Sequence, residues 1–409
     1  MMIHSSLAQL HLRNPLPAAI YAINAVGVPR PFGVLHEEWP DTFAVTRHRL
    51  GTAPPRRITG PSKVLPYYLQ DSRPTGYLGR KVPAAYPELG LPPLIEDWKD
   101  SHALRFLTRF GSQNVGNLVI GDESLYRYQT LLDEPPLIGA KDRSREYPRL
   151  ADAHSRTLLG AGIDGSNPSI LLPGEQPKFA ARILDDHRVR SVIVKFSSRR
   201  DTQVGLRSAD MLLAEWLASK ILTLHGFKMA RSAPHAFDGR VFLEIDRFDR
   251  LGTVGRRGVS SLFSIDAARY GKLDTWSLAA ERLHRDNLLR FEDFRQIKAL
   301  ECFSGLIGNI DRHLANITMY DGFADFFGLA PIYGVLPKAF APFNGTMPTD
   351  QFRPQGPSRD CLKIWPGVLT CAKHYWAAME LQDAVSDSFR NISSDCLQAV
   401  QAMRVAGVK

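Results

Sequence analysis

The stretch that most restricts the fold of this 409-residue chain is Gly308-Asn309-Ile310-Asp311-Arg312-His313-Leu314-Ala315-Asn316-Ile317, which sets an aspartate, a histidine and an asparagine within six residues. Before it, Phe294, Ile297, Leu300, Phe303 and Ile307 recur at the spacing of a buried helix. Gly305 and Gly308 weaken that helix, so the polar cluster is predicted on a loop just past its end. After it, Ile317 to Tyr320 and Phe326 to Leu329 flank an Asp321-Gly322 turn signal and predict a short hairpin. A polar loop held between a buried helix and a hairpin leaves few arrangements open.

An aspartate followed five residues later by an asparagine on such a loop has the spacing of a kinase catalytic loop. There the aspartate takes or orients the proton of an attacking hydroxyl, and the asparagine oxygen holds a magnesium that bridges the phosphates of ATP. A plainer reading makes Asp311 a turn residue, His313 a packed histidine and Asn316 a turn cap. The stretch by itself leaves both open, and the rest of the chain decides between them.

Leu159-Gly160-Ala161-Gly162-Ile163-Asp164-Gly165-Ser166 and Pro173-Gly174-Glu175-Gln176-Pro177-Lys178 are glycine-rich, and such loops let backbone N–H groups approach phosphates. Most runs of this kind are only turns. Here a predicted strand follows, Val189 to Ser197, with Lys195 in its apolar run. A strand lysine after a glycine-rich loop is how kinases reach the α- and β-phosphates. Ser208 to His225 reads as an amphipathic helix stopped by Gly226, with Leu213, Trp216, Leu217, Ile221 and Leu224 as its apolar face. Asp210 or Glu215 on this helix could pair with Lys195, although a solvated helix charge is the ordinary role of either. Arg240 to Arg250 reads as a strand running into a charged turn, the place of a hinge between lobes. Residues 275 to 307 are predicted helical, and helices return from Cys371 to Met403.

Towards the N-terminus, Ala19 to Ile23, Phe32 to Leu35 and Phe43 to Thr46 read as small strands. The segment Leu65 to Arg80 mixes aromatics, arginines and turn residues. It could stack on bases, but packing of a loop is the favoured reading. Trp98 to Gly111 reads as a helix and Gly116 to Gly121 as a strand. Residues 133 to 150, rich in proline and charge, mark the first boundary. The net charge of +9 permits anionic partners such as nucleic acid, nucleotide or acidic protein. The lysines and arginines are scattered, however, which suits a basic soluble protein without a basic arm. Cys302, Cys361, Cys371 and Cys396 match no zinc spacing, so a reduced, cytoplasmic chain is expected. The apolar stretch from Leu16 to Val26 is too short to span a bilayer and contains Pro17 and Asn24.

Taken in order, Leu69 to Arg80, Gly116 to Gly121, Gly174 to Phe179, Val194-Lys195-Phe196, Asp246 to Arg250, Gly308 to Asn316 and Leu329-Ala330-Pro331-Ile332-Tyr333 resemble the HipA family of serine/threonine kinase toxins, and most of all its YjjJ-type members. The resemblance runs from about residue 20 to 365. It implies an α+β chain with a two-lobed protein-kinase-like HipA fold and a small β-rich N-terminal subdomain. The expected divisions are 1–140 for that subdomain, 141–250 for the lobe with the glycine-rich loop and strand lysine, and 251–409 for the helical lobe with the catalytic loop. It further implies ATP and magnesium as cofactors, a protein substrate, and an antitoxin partner through which alone DNA would be met. By motif position Asp311 is the catalytic base and His313 orients the loop. Asn316 is the metal ligand. Lys195 binds the ATP phosphates, with Gly174 and Lys178 in the phosphate loop, and Asp246 and Phe248 line the adenine site.

The sequence departs from the family in three places. Where the family has Pro-x-Tyr-Asp, with that aspartate a second metal ligand, Gly334 follows Tyr333 here. The phosphate loop carries Ser169-Ile170-Leu171-Leu172-Pro173 where relatives have small residues. YjjJ-type relatives begin with a helix-turn-helix segment, and this chain starts past it, so DNA binding of its own is not expected. Two functions follow: a HipA-like kinase transferring the γ-phosphoryl group to a protein hydroxyl, or a kinase-fold binding protein whose catalysis the loss at Gly334 has weakened or abolished.

Overall fold

The computed structural model describes residues 16–47, 56–57, 61–157, 172–323, 326–343, 345–348, 352–357 and 361–403. The glycine run at 159–166 and most of the bulky stretch from Ser169 lie outside them. Two compact units are present, one made of 1–191 with 249–260, the other of 192–248 with 261–409.

In the first unit, Ala18–Ile23 lies between Pro29–Trp39 and Leu118–Ile120, and Thr42–Arg47 extends the antiparallel sheet beyond Pro29–Trp39. Ile20, Ile23, Leu35, Phe43 and Val45 form its buried face. The helix Asp100–Phe110 buries Leu104, Phe106 and Leu107 and ends beside Tyr86, whose ring stacks on Phe110 at 4.1 Å. The segment from Leu65 to Arg80 packs, as favoured. Its Leu65 N–H and Arg73 guanidinium both reach the Asp100 carboxylate at 2.8 Å, and Tyr77 is buried.

Residues 133–150 hold more structure than their prolines and charges suggest. Leu137–Gly139 pairs in parallel with Lys178–Asp185, and Arg143–Thr157 is a helix with Pro148 inside it. Burial of Tyr147, Leu150 and Ala151, with ion pairs from Arg145 and Arg149 to Glu146, offsets the hydrogen bond that Pro148 cannot make. The charged turn Asp249–Arg250 is likewise built in, not solvated. Asp249 accepts from the Gly116 N–H at 3.0 Å, and Arg250 donates to the Gly116 and Asn114 carbonyls at 2.9 and 2.6 Å.

In the second unit, Arg240–Asp246 pairs antiparallel with residues 192–196 on one side and with Ser232–Phe237 on the other, which places Lys195 opposite Leu243. The helix Gln203–Leu224 starts on the Thr202 side chain and ends before Gly226, at φ +84°. It is buried on nearly all sides and is not amphipathic. Arg207, Asp210 and Glu215 are buried with the apolar residues, whereas Leu224 is exposed. The helices Trp276–Arg285, Phe291–Ile307, Trp365–Glu380 and Asp387–Ala402 enclose Trp276, Phe303, Trp365, Tyr375, Trp376 and Phe389, all essentially without solvent contact. The Cys302 and Cys361 side chains lie side by side, while Cys371 and Cys396 are free and buried. A separation of 59 residues carries no spacing signal; Cys302 is on the helix Phe291–Ile307, and Cys361 lies just before the helix Trp365–Glu380.

Candidate active site

The second unit assembles three polar or aromatic clusters from residues singled out in the sequence. The first is centred on Lys195. Its ammonium meets both oxygens of Glu215 at 2.7 Å, with Lys195 6% and Glu215 4% exposed. Asp210, the other candidate partner, is instead taken by Ser386, whose N–H donates to it at 2.8 Å. Glu215 also accepts the backbone N–H of Gly334 at 3.0 Å, which ties the segment after the hairpin to the ion pair. Gly334 has φ +74°, and a Cβ built there meets nothing within 4 Å. A buried pair of this kind holds its geometry because either charge alone would be costly in the low-dielectric interior.

The second cluster is the catalytic-type loop, and its backbone is over-determined. Gly308, at φ +78°, ends the preceding helix in the left-handed region. The Asn309 side chain accepts the Asp311 N–H at 3.2 Å, the Asn316 carboxamide nitrogen donates to the Asp311 carbonyl at 2.7 Å, and the Asn316 N–H reaches the His313 carbonyl at 3.0 Å. Trp276 adds a bond from its indole N–H to the His313 carbonyl at 2.9 Å. The Asp311 carboxylate, half-exposed, has His313 Nε2 at 3.3 Å. The arrangement therefore brings Asp311, His313 and Asn316 together, keeps the Asp311 carboxylate open to solvent, and turns the Asn316 oxygen away from the bond its nitrogen makes. The hairpin follows as expected, with Met319 opposite Leu329 and Tyr320 opposite Gly328.

The third cluster is aromatic. Phe248, just past Asp246, lies 6.1 Å from Tyr320 and 5.8 Å from Tyr333 between ring centroids. All three rings are half-buried, which suits a surface for a flat heterocycle. Tyr320 and Tyr333 were not read as site residues from the sequence. The signal for Tyr333 was its place directly before Gly334.

Gly174 and Lys178 come together in the first unit. The Lys178 ammonium donates to the carbonyls of Pro173 and Gly174, the latter at 2.9 Å. Gly174 has φ +97° and packs so closely on Gly76, at φ +64°, that a Cβ on Gly76 would lie 2.7 Å from the Gly174 oxygen. Beside this turn, Lys81 is buried with its ammonium 4.2 Å from the Tyr77 ring centroid and donates to the His154 carbonyl. Burial pushes the Lys81 amine down to about 8. Burial, and then the charge of Lys81, push the His154 imidazole down to about 3.

Magnesium takes about six oxygen ligands in near-octahedral geometry, commonly with one or two carboxylates among them. The catalytic-type loop presents the neutral Asn316 oxygen beside a carboxylate already facing His313, and position 334 has no side chain. Among the described residues, no group of three or more His, Cys, Asp or Glu could hold a metal ion. Among the described residues these donors do not fit a resident magnesium. No helix among the described residues is long and apolar enough to cross a membrane.

Comparison with known proteins agrees with the order of these elements. Residues 15–129 match the family model for a YjjJ-like toxin, middle domain, and residues 170–403 match the HipA-like C-terminal domain. Toxin YjjJ of Escherichia coli (strain K12) is 29% identical over 344 residues, covering 82% of this chain and 74% of that protein. The solved HipA from Shewanella oneidensis MR-1, in complex with HipB and its operator DNA, superposes with a TM-score of 0.59 over 94% of this chain and 96% of that one, at 13% identity, a likeness of fold. With the HipA-like domain accounting for more than half of its residues, the chain belongs to the HipA-like family, has an α+β fold, and is similar to the YjjJ-like toxins.

Proposed function

We propose that the protein is a HipA-like, ATP-dependent serine/threonine protein kinase, the toxin of a toxin–antitoxin pair. The observation that carries this reading is the buried Lys195–Glu215 pair. A lysine held at this depth by a carboxylate from the next helix is arranged as a point charge for phosphate oxygens. ATP supplies the phosphoryl group, and its adenine lies against Phe248, Tyr320 and Tyr333, near Asp246. The hydroxyl of a protein serine or threonine gives its proton to the Asp311 carboxylate as its oxygen bonds the γ-phosphorus. The bond from that phosphorus to the β–γ bridging oxygen breaks, and ADP leaves. His313 and Asn316 position Asp311. The partner is an antitoxin protein, through which DNA is reached, in the cytoplasm.

One observation favours a second reading. Gly334 supplies no ligand, and a kinase fold that binds nucleotide or antitoxin with little or no transfer accommodates that loss. Transfer of labelled phosphate from ATP to the protein itself and to bacterial lysate proteins tests the two. Transfer by wild type that vanishes in Asp311→Ala supports the kinase. No transfer by wild type, with transfer restored by Gly334→Asp, supports the binding protein.

A further inference from the structure

The Lys195–Glu215 pair has no net charge, and the Gly334 N–H on Glu215 fixes position 334 directly against it. A carboxylate at this position would add a negative charge beside the pair and would face a triphosphate that is itself strongly negative. Like charges at such a distance repel, and the repulsion is relieved only by a cation between them. Metal dependence of nucleotide binding in such a site therefore has two sources, the bonds the metal makes and the repulsion it cancels. Gly334 removes this position's share of both. It offers no ligand, and it adds no charge beside the neutral Lys195–Glu215 pair. The remaining donor, the Asn316 oxygen, is exposed and uncharged, a poor match for an ion that gives up its water reluctantly.

We propose that this chain binds ATP, in the site assigned under the proposed function, with almost no dependence on a divalent metal, and that Gly334 is the residue that sets this. The backbone supports the assignment in reverse. At φ +74° the position is in the left-handed region, where aspartate and asparagine are among the most tolerated side chains, and the space around an added Cβ is open. Gly334→Asp can therefore restore the carboxylate without a clash.

The test is isothermal titration of the full chain with ATP, in excess EDTA and in excess magnesium. Wild type is expected to show dissociation constants within about threefold of each other. Gly334→Asp is expected to bind at least about tenfold more tightly with magnesium than with EDTA. A wild-type affinity that falls tenfold or more in EDTA overturns the inference while leaving the nucleotide site standing. A Gly334→Asp protein that responds to metal no more than wild type overturns the role given to that residue. No binding in either buffer removes the nucleotide reading itself, and the inference with it. Should Gly334→Asp fail to fold, the wild-type pair of titrations decides alone.

Discussion

Breaking the Lys195–Glu215 pair from either side has a magnitude that the structure fixes within bounds. Lys195→Met leaves Glu215 buried, with only the Gly334 N–H for its charge. Removing one partner of a buried ion pair costs about 3–5 kcal/mol, because the other charge stays desolvated and uncompensated. Glu215→Gln is milder, since the amide oxygen can still accept from Lys195 or from Gly334. About 2–3 kcal/mol is expected there, the cost of an ammonium that has lost its counter-charge. The double variant Lys195→Met/Glu215→Gln has no buried charge, and the amide keeps the bond to Gly334. It should lie within about 1–2 kcal/mol of wild type, so the two sites couple by at least about 2 kcal/mol. Urea unfolding of the four proteins at neutral pH, with free energies from midpoint and slope, reads this cycle directly. Single variants that each cost under about 1 kcal/mol and simply add would refute the argument, because that is the behaviour of a solvated pair.

Other perturbations follow from the same contacts. Gly76→Ala places a methyl against the Gly174 carbonyl at a positive φ, and a loss of about 2 kcal/mol or more in urea is expected, with none for Gly90→Ser, where a Cβ meets open space, beyond its own strain of about 1 kcal/mol. His154, pushed down to about 3 by burial and by Lys81, stays neutral in the folded chain. Its contribution is complete above the ordinary value near 6.5 and is lost as pH falls from there towards 3, by about 1.4 kcal/mol per pH unit. Stability should therefore drop between pH 7 and 5, and His154→Asn should flatten that slope. Lys81, held near 8, makes the complementary prediction that stability rises as pH climbs from 8 towards 10.5, a rise that Lys81→Met should abolish.

What was legible in the sequence was what is local. The helix, loop and hairpin from Phe294 to Leu329 could be read because a 3.6-residue period, a glycine stop and a turn signal are all short-range properties. The helix 203–224 shows where such reading ends. Periodicity treats each charge as facing water, so a solvated role was the ordinary reading for Asp210 and Glu215, yet both are buried with partners from elsewhere in the fold, as is Arg207 beside them. Whether Asp210 or Glu215 met Lys195 could not be decided either. The two lie on different faces of one helix, and only the packing of the sheet selects between them. The partners of Asp249 and Arg250 were out of reach for the same reason, since Asn114 and Gly116 lie more than a hundred residues away. Pro148 was a true local signal that burial of Tyr147 and Leu150 overrode.

The catalytic-type loop offers a way to separate chemistry from support. Both side chains that fix Asp311 do so through its backbone, Asn309 accepting its N–H and Asn316 donating to its carbonyl. The Asp311 carboxylate carries none of that load, since its neighbour His313 is half-exposed and is held independently by Trp276 through its own carbonyl. Asp311→Asn should therefore leave stability within about 0.5 kcal/mol and leave ATP affinity unchanged, while lowering phosphate transfer by about 10²–10⁴-fold through loss of the proton acceptor. Asn316→Ala should do the opposite in stability, costing about 0.5–1.5 kcal/mol by removing the bond that fixes the Asp311 carbonyl. Measured together, unfolding, titration and transfer distinguish the roles. If Asp311→Asn destabilised the fold as much as Asn316→Ala, the carboxylate would be a structural strut, and its assignment as the base would lose its support.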